Sequence, residues 1–202
     1  MSKVISQMTM SLDGYVAGPD PSREDPLGIR GEDLHTWMFE ADREGRTEDA
    51  RLRSEISAGV GAYVMGRKMF DGGEGPLDES WHGWWGENPP YHVPVFVLTH
   101  HPRESLPMEG GTTFHFVTDG FDAALAQARA AAGDRAVHVC GGASAVQQAL
   151  RAGQLDELLL HTAPIFLGGG TQLFEDVGDP RLEVIETIPS TAATHVRYRV
   201  AR

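Results

Sequence analysis

The sequence predicts an α/β fold: a mostly parallel central sheet flanked by helices, with an antiparallel C-terminal hairpin. Three observations predict it. Short β-rich apolar runs alternate with helix-like runs along most of the chain. Residues 136–150 read as a buried strand, a bare Gly141-Gly142 pair and then a helix, the unit from which parallel sheets are built. The last two strand-like runs follow each other directly, with Pro189-Ser190 between them, as antiparallel neighbours do. At 202 residues the chain suits one core, so residues 1–202 are read as a single domain.

Each element has a local reason. Residues 4–10 are apolar enough for a central strand. Asp13-Gly14 and Gly18-Pro19-Asp20-Pro21 are turn signals, and the chain stays polar and rich in Pro and Gly to about Gly31. Loops of that length often carry function. Residues 34–39, with Trp37 and Phe39, read as a short helix or turn that walls this loop. Thr47 reads as an N-cap, Glu48 and Asp49 as an acidic first turn, and the helix should run to Ala58 before Gly59 stops it. Residues 62–65 form a strand, after which Gly66-Arg67-Lys68 sets two cations at a strand-to-helix junction.

Residues 71–90, with Trp81, Trp84 and Trp85, read as irregular. Residues 94–98 make a strand ending at Thr99 and His100, and 113–117 make another. Phe121, Leu125 and Ala128 share one face of a helix that Gly133 ends. Ser144 with Gln147 is a capping-box pattern that starts a helix near Ser144. Residues 157–164 are a strongly apolar strand that runs into a second glycine-rich loop, Gly168-Gly169-Gly170. Residues 182–188 and 194–200 are the closing pair, and no internal repeat occurs.

Lys plus Arg total 17 against 29 Asp plus Glu, a formal charge of −12. Such a surface argues against nucleic acid and anionic membranes as partners. An anionic small ligand would need a local cationic pocket. No apolar run approaches the roughly 20 residues of a membrane helix, and the first residues lack the apolar core of a signal peptide. The lone Cys140 has no internal disulfide partner and reads as a buried small hydrophobe, which fits a reducing cytoplasm. The nine histidines lack H-E-x-x-H spacing and there is no C-x-x-C, so no metal site is expected. A G-x-S-x-G nucleophile elbow is also absent.

Three places suit an anion, one of them Thr99-His100-His101-Pro102-Arg103, where several donors sit at a strand's carboxyl end. Glycines 141 and 142 allow close approach of the backbone to a ligand, and the helix start behind them favours negative charge. Gly66, Arg67 and Lys68 supply the local positive charge. The dinucleotide fingerprint G-x-G-x-x-G and the P-loop are both missing.

Four stretches together resemble the dihydrofolate-reductase-like superfamily, and within it the reductase domain of riboflavin-biosynthesis deaminase-reductases. They are Met10-Ser11-Leu12-Asp13-Gly14-Tyr15-Val16-Ala17, Val64-Met65-Gly66-Arg67-Lys68-Met69-Phe70, Val139-Cys140-Gly141-Gly142-Ala143-Ser144, and the run from Asp156 to Gly170. The resemblance implies NADPH. By matching position it puts Arg67 and Lys68 beside Gly66 on cofactor phosphates, and Thr99 and His100 near the adenosine. It puts Gly141, Gly142, Ala143 and Ser144 around the pyrophosphate, with a cis Gly141–Gly142 bond, and Ala17 and Gly18 against the nicotinamide. It also implies a homodimer.

Departures from the pattern are Met69, where many relatives carry Thr, and the absence of the zinc-deaminase half. The activity implied is an NADPH-dependent reductase of a pterin- or pyrimidine-like substrate, resembling 5-amino-6-(5-phosphoribosylamino)uracil reductase. Trp37 and Phe39, with Trp81, would stack on that substrate, and Asp13 is the candidate acid, although its Asp-Gly context equally suits a turn. The alternative is a non-catalytic NADP-binding or regulatory domain of the same fold.

Overall fold

The computed structural model of the protein describes residues 2–73 and 75–201. The chain begins with strands β1 (Val4–Ser11) and β2 (Tyr15–Ala17) and helices α1 (Thr36–Phe39) and α2 (Thr47–Glu55). Then come β3 (Val60–Gly66), α3 (Arg67–Asp71), β4 (Pro94–Leu98), β5 (Leu106–Pro107) and β6 (Thr113–Val117). The last part holds α4 (Phe121–Ala132), β7 (Ala136–Gly141), α5 (Ala143–Arg151), β8 (Glu157–Ala163), β9 (Thr171–Gln172), β10 (Arg181–Pro189) and β11 (Thr194–Ala201).

Nine strands form one sheet in the order β10-β11-β8-β1-β7-β3-β4-β6-β5. The interior from β8 to β6 is parallel, and both margins are antiparallel: β11 against β8 and β10, and β5 against β6. Strand β3, buried along its whole length, shows how two faces arise. Ala62 and Val64 point into a core shared with Phe121, Leu125 and Ala128 of α4 and Val146 and Ala149 of α5. Val60, Tyr63 and Met65 point the other way, toward Phe70, Val95, Val97 and Phe114. Side chains alternate along a strand, so a central strand must be apolar on both sides. A third cluster seals α1 and α2 onto the C-terminal side through Trp37, Leu52, Leu159 and Ile188.

One irregularity positions the site. β1 pairs with β8 along nearly its full length, from Ile5↔Glu157 to Ser11↔Ala163. On its other side it meets β7 only at Val4↔Val137 and Ile5↔His138. Past that point side chains replace ladder bonds. The Gln7 N–H donates to His138 Nε2 at 3.2 Å, and Ser6 Oγ donates to the Val139 carbonyl at 2.8 Å. The two strands therefore part toward their carboxyl ends, where open α/β sheets bind ligands.

Local expectations fared unevenly. Helix α2 starts at Thr47 itself, with Arg46 at the cap position and no side-chain cap, and it ends at Glu55, short of Ala58. Arg46 explains the difference, because its guanidinium bonds Asp49 and the carbonyls of Thr36 and Trp37. The capping box is not formed. Helix α5 starts at Ala143 without a side-chain cap, and Gln147 reaches sideways to the carbonyls of Gln172 and Leu173, both at 3.1 Å. The early and late glycine-rich loops, read as separate coils, pair as β2 and β9. Gly18 and Gly170 permit that contact. A Cβ on Gly170, at φ +114°, would collide with the Ala17 carbonyl, and one on Gly18 with the Ile29 carbonyl. Among the described residues no helix is long and apolar enough to cross a membrane.

Candidate functional site

A cleft of about 1340 Å³ opens where β1 and β7 part. Its first end is made of backbone. Gly66, Lys68, Gly141, Gly142, Ala143 and Ser144 line it at the ends of β3 and β7 and the start of α5. The Gly141–Gly142 peptide is cis, as the resemblance implied. A Cβ on Gly66 would stand 3.6 Å from the Gly142 nitrogen and 3.7 Å from Ser144 Oγ, so the two strand ends converge there. A Cβ on Gly142 would meet no protein atom within 4 Å, so that side is open to the cleft. The first-turn N–H groups of α5 and the Lys68 ammonium give this end a positive character on an otherwise acidic protein. The glycine-lined surface, the helix start and the cation fit a pyrophosphate.

The second end is made of side chains. Gln7 and Thr9 of β1, Trp37 of α1, Tyr63 of β3, His138 of β7 and His161 of β8 line it. Trp37 is 2 % exposed, stacks on His161 at 4.1 Å between ring centroids, and donates its Nε1–H to Thr9 Oγ1 at 3.1 Å. Behind His161 lies His195 of β11, with 2.6 Å between their Nδ1 atoms. Behind His195 lies Asp49 of α2, whose Oδ1 is 3.0 Å from His195 Nε2. Asp49 is fully buried, and its other oxygen accepts from Arg46 Nε at 2.6 Å and Ser190 Oγ at 2.9 Å.

Burial keeps the imidazoles neutral. It pushes His138 down to about 4. His161 falls to about 2, through burial first and then the charges of His195, His35 and Arg197. His195 is lowered by burial against the raising effect of Asp49. Burial also raises the Tyr63 phenol and pushes the Cys140 thiol up to about 12. Cys140 sits on the cleft wall and is less enclosed than expected, its Sγ facing the Val64 carbonyl at 3.5 Å.

The sequence-derived candidates divide between cleft and scaffold. Gly66, Lys68, Gly141, Gly142, Ala143, Ser144, Ala17 and Trp37 line the cleft. Asp13 is not among the lining residues. Its carboxylate accepts from Ser11 Oγ at 2.6 Å and from the N–H groups of Leu167 and Gly168 at 3.1 and 2.8 Å. The Ser11 bond leads in lowering its pKa, so Asp13 behaves as an ionised pin for the late glycine loop, not as a proton donor. Arg67 turns away. Its Nε bonds Asp71 at 3.0 Å and its terminal nitrogens bond the carbonyls of Gly75 and Pro76, which ties down the loop after α3.

Thr99 and His100 lie outside the lining, and Thr99 Oγ1 caps the turn at the His101 N–H. Gly18 acts in loop packing, as its crowding against Ile29 shows. Phe39 is 69 % exposed, and Trp81 donates to the Phe70 carbonyl away from the cleft. What sequence reading missed is Gln7, Asp49 and the three strand histidines. The available signal was three imidazoles, His138, His161 and His195, each inside a strand-like run where a polar ring needs a partner.

The sheet order and its superposition on solved structures give a dihydrofolate-reductase-like fold. Dihydrofolate reductase from Enterococcus faecalis, solved with NADP(H) and RAB-propyl, superposes with a TM-score of 0.62 at 16 % identity, covering 99 % of this chain and 97 % of that one. Within that class, the chain belongs to the RibD C-terminal domain family, which it matches over residues 2–196. A protein from Shewanella sp. PV-4 described as a candidate riboflavin-biosynthesis protein aligns over 99 % of both chains, with a TM-score of 0.67 and 23 % identity. A pyrimidine reductase-like protein from Corynebacterium diphtheriae gives 0.60 and 16 %, covering 100 % of this chain and 92 % of that one. No curated protein matches the chain by sequence.

Proposed function

We propose that this protein is an NADPH-dependent reductase of a small planar heterocycle, pterin- or pyrimidine-like, resembling 5-amino-6-(5-phosphoribosylamino)uracil reductase. One observation carries the reading: a single cleft joins an anion-binding backbone end to a buried aromatic and imidazole end. Gly66, Lys68 and residues 141–144 would hold the cofactor phosphates, with Ala17 on the wall toward the nicotinamide. NADPH supplies a hydride when bound. The chain itself receives the substrate at the deep end, whose wall the Trp37–His161 stack stiffens, and limits bulk water there. The buried titratable side chains there, Tyr63, His138, Cys140 and His161, are all shifted away from neutrality in the direction that removes charge. These four groups are poorly placed to give up a proton at neutral pH, which supports a water admitted to the cleft as the donor.

The test is NADPH oxidation, followed by absorbance, with a panel of dihydropterins, dihydrofolate and aminopyrimidine ribose phosphates. Turnover with one class is the expected result. NADPH binding without turnover on any of them would favour the non-catalytic reading, and absence of NADPH binding would remove the reductase assignment.

We also propose a homodimer. The outer strand β10 exposes Leu182, Val184 and Ile185 at 40, 63 and 42 %, an apolar sheet margin of the kind proteins cover. Light scattering at micromolar concentration should give twice the 22.0 kDa chain mass, and a monomer would refute it.

A further inference from the structure

We propose that Asp49, acting through His195 and His161, sets which end of the Gln7 amide faces the cleft, so that the protein offers a ligand N–H one fixed acceptor, Gln7 Oε1. The argument is one of donors and acceptors. A carboxylate can only accept. His195 Nε2, facing Asp49 Oδ1 at 3.0 Å, must therefore carry the hydrogen. A neutral His195 then has a bare Nδ1. His161 Nδ1, 2.6 Å away, must donate to it. That leaves His161 Nε2 bare, and the group 2.8 Å from it must be the Gln7 NH₂. The second amide hydrogen goes to the Leu52 carbonyl at 3.3 Å. Both donors of Gln7 are used inside the protein, and Oε1 is left to the cleft that Gln7 lines.

The array is built to keep this polarity. Asp49 and His195 are fully buried and His161 is 1 % exposed, so the bonds between them are shielded from bulk solvent. Adding a proton to either ring would permit the reverse order, but burial lowers both, and His35 and Arg197 add repulsion at His161. The Gln7 main chain is held as well, its N–H on His138 Nε2, while the other ring nitrogen of His138 faces the Ile56 carbonyl at 3.2 Å. The ligand class that follows is a heterocycle presenting a lactam N–H or a ring amine to the deep end. That ligand statement rests on the proposed reductase reading, whereas the polarity of the array does not.

Long-range ¹H–¹⁵N correlation of the imidazole nitrogens, in ligand-free protein at neutral pH, reads the tautomers directly. The expected wild-type result is hydrogen on Nδ1 of His161 and on Nε2 of His195. Hydrogen on Nε2 of His161 would overturn the proposal without any variant. Asp49→Asn is the isosteric test. Arg46 and Ser190 both donate to Oδ2, so the amide oxygen of the variant must take that place and its NH₂ must face His195. Both tautomers should then invert, and Gln7 should turn its NH₂ to the cleft. Unchanged tautomers in a folded Asp49→Asn would overturn the relay.

The ligand arm compares a lactam with its N-methylated counterpart. Wild type should prefer the N–H form about tenfold or more, and Gln7→Leu should lose that preference with the tautomers intact. Equal affinities in wild type would overturn the acceptor role. Failure of NADPH oxidation with the tautomers as expected would refute the reductase reading and leave the array standing.

Discussion

The two ends of the cleft are built on opposite principles. The phosphate-like end is backbone, supplied by the ends of β3 and β7 and the start of α5, and its selectivity comes from side chains that are missing. The deep end is side chain, and its groups come from α1, α2, β1, β3, β7, β8 and β11. A glycine surface tolerates change by staying open. An interlocked buried polar array tolerates little, because removing one member leaves the others with unpaired donors or charge. Substitutions at the first end should therefore act on binding, and those at the second on folding.

The largest expected effect breaks the deep end. Asp49→Ala leaves the Arg46 guanidinium, the Ser190 hydroxyl and the His195 ring without their acceptor and should cost about 3–5 kcal/mol in urea unfolding. A loss below about 1 kcal/mol would mean that the array is not the structural keystone drawn here. Acid comes next. The folded pKa of His138 lies near 4, below its ordinary 6.5, so the unfolded chain binds the proton more tightly. The stability this group contributes is present above pH 6.5 and is lost progressively toward pH 4, on the order of 3 kcal/mol in total. Unfolding series at pH 7 and pH 4.5 should show the loss, and His138→Gln should shrink it by this group's share, leaving what His161 and His195, lowered in the same direction, contribute. An unchanged slope in that variant would assign the acid sensitivity elsewhere.

At the other end, Lys68→Ala should weaken NADPH binding by about 1.5–3 kcal/mol, the range of a charge-assisted contact. Arg67→Ala should instead lower stability and affect NADPH and NADH alike, because its guanidinium is committed to Asp71 and the loop carbonyls. A selective loss of NADPH in Arg67→Ala would reverse these roles. The smallest effect is expected for Gly142→Ala, roughly a tenfold loss of NADPH affinity (about 1.4 kcal/mol) with less change in folding. Its methyl would enter the open side of the cleft while touching no protein atom. Calorimetric titration beside thermal unfolding separates the two readouts.

The same contrast explains what the sequence disclosed. Glycines 141 and 142 and the Gly66-Arg67-Lys68 junction announce themselves within a few residues, because backbone access and helix starts are local properties. The longer strands of the sheet were legible too, from their apolar β-rich runs, whereas the two- and three-residue strands β2, β5 and β9 carried no pattern to read. Arg67 misled although its partner was local: Asp71, one helical turn on, captures the guanidinium before any ligand can. The Asp49–His195–His161–Gln7 array joins positions up to 154 apart, and in the sequence each member looks like an ordinary polar residue in a helix or strand. Ser144 and Gln147 show the converse failure, a correct local pattern overruled because the Gln172 and Leu173 carbonyls compete for the same amide.

The place of β1 carries a consequence for synthesis. Of the described strands β1 is made before the others, yet it lies inside the finished sheet, and both of its neighbours come from much later in the sequence, at residues 136–141 and 157–163. Until those residues emerge, β1 is an unpaired apolar ribbon, and β3, β4 and β6 can associate only as a partial sheet with one raw edge. Closing so long a loop is slow, and exposed strand edges aggregate. A permuted chain in which β1 follows β11 should shorten the interval in which the nascent protein depends on chaperones.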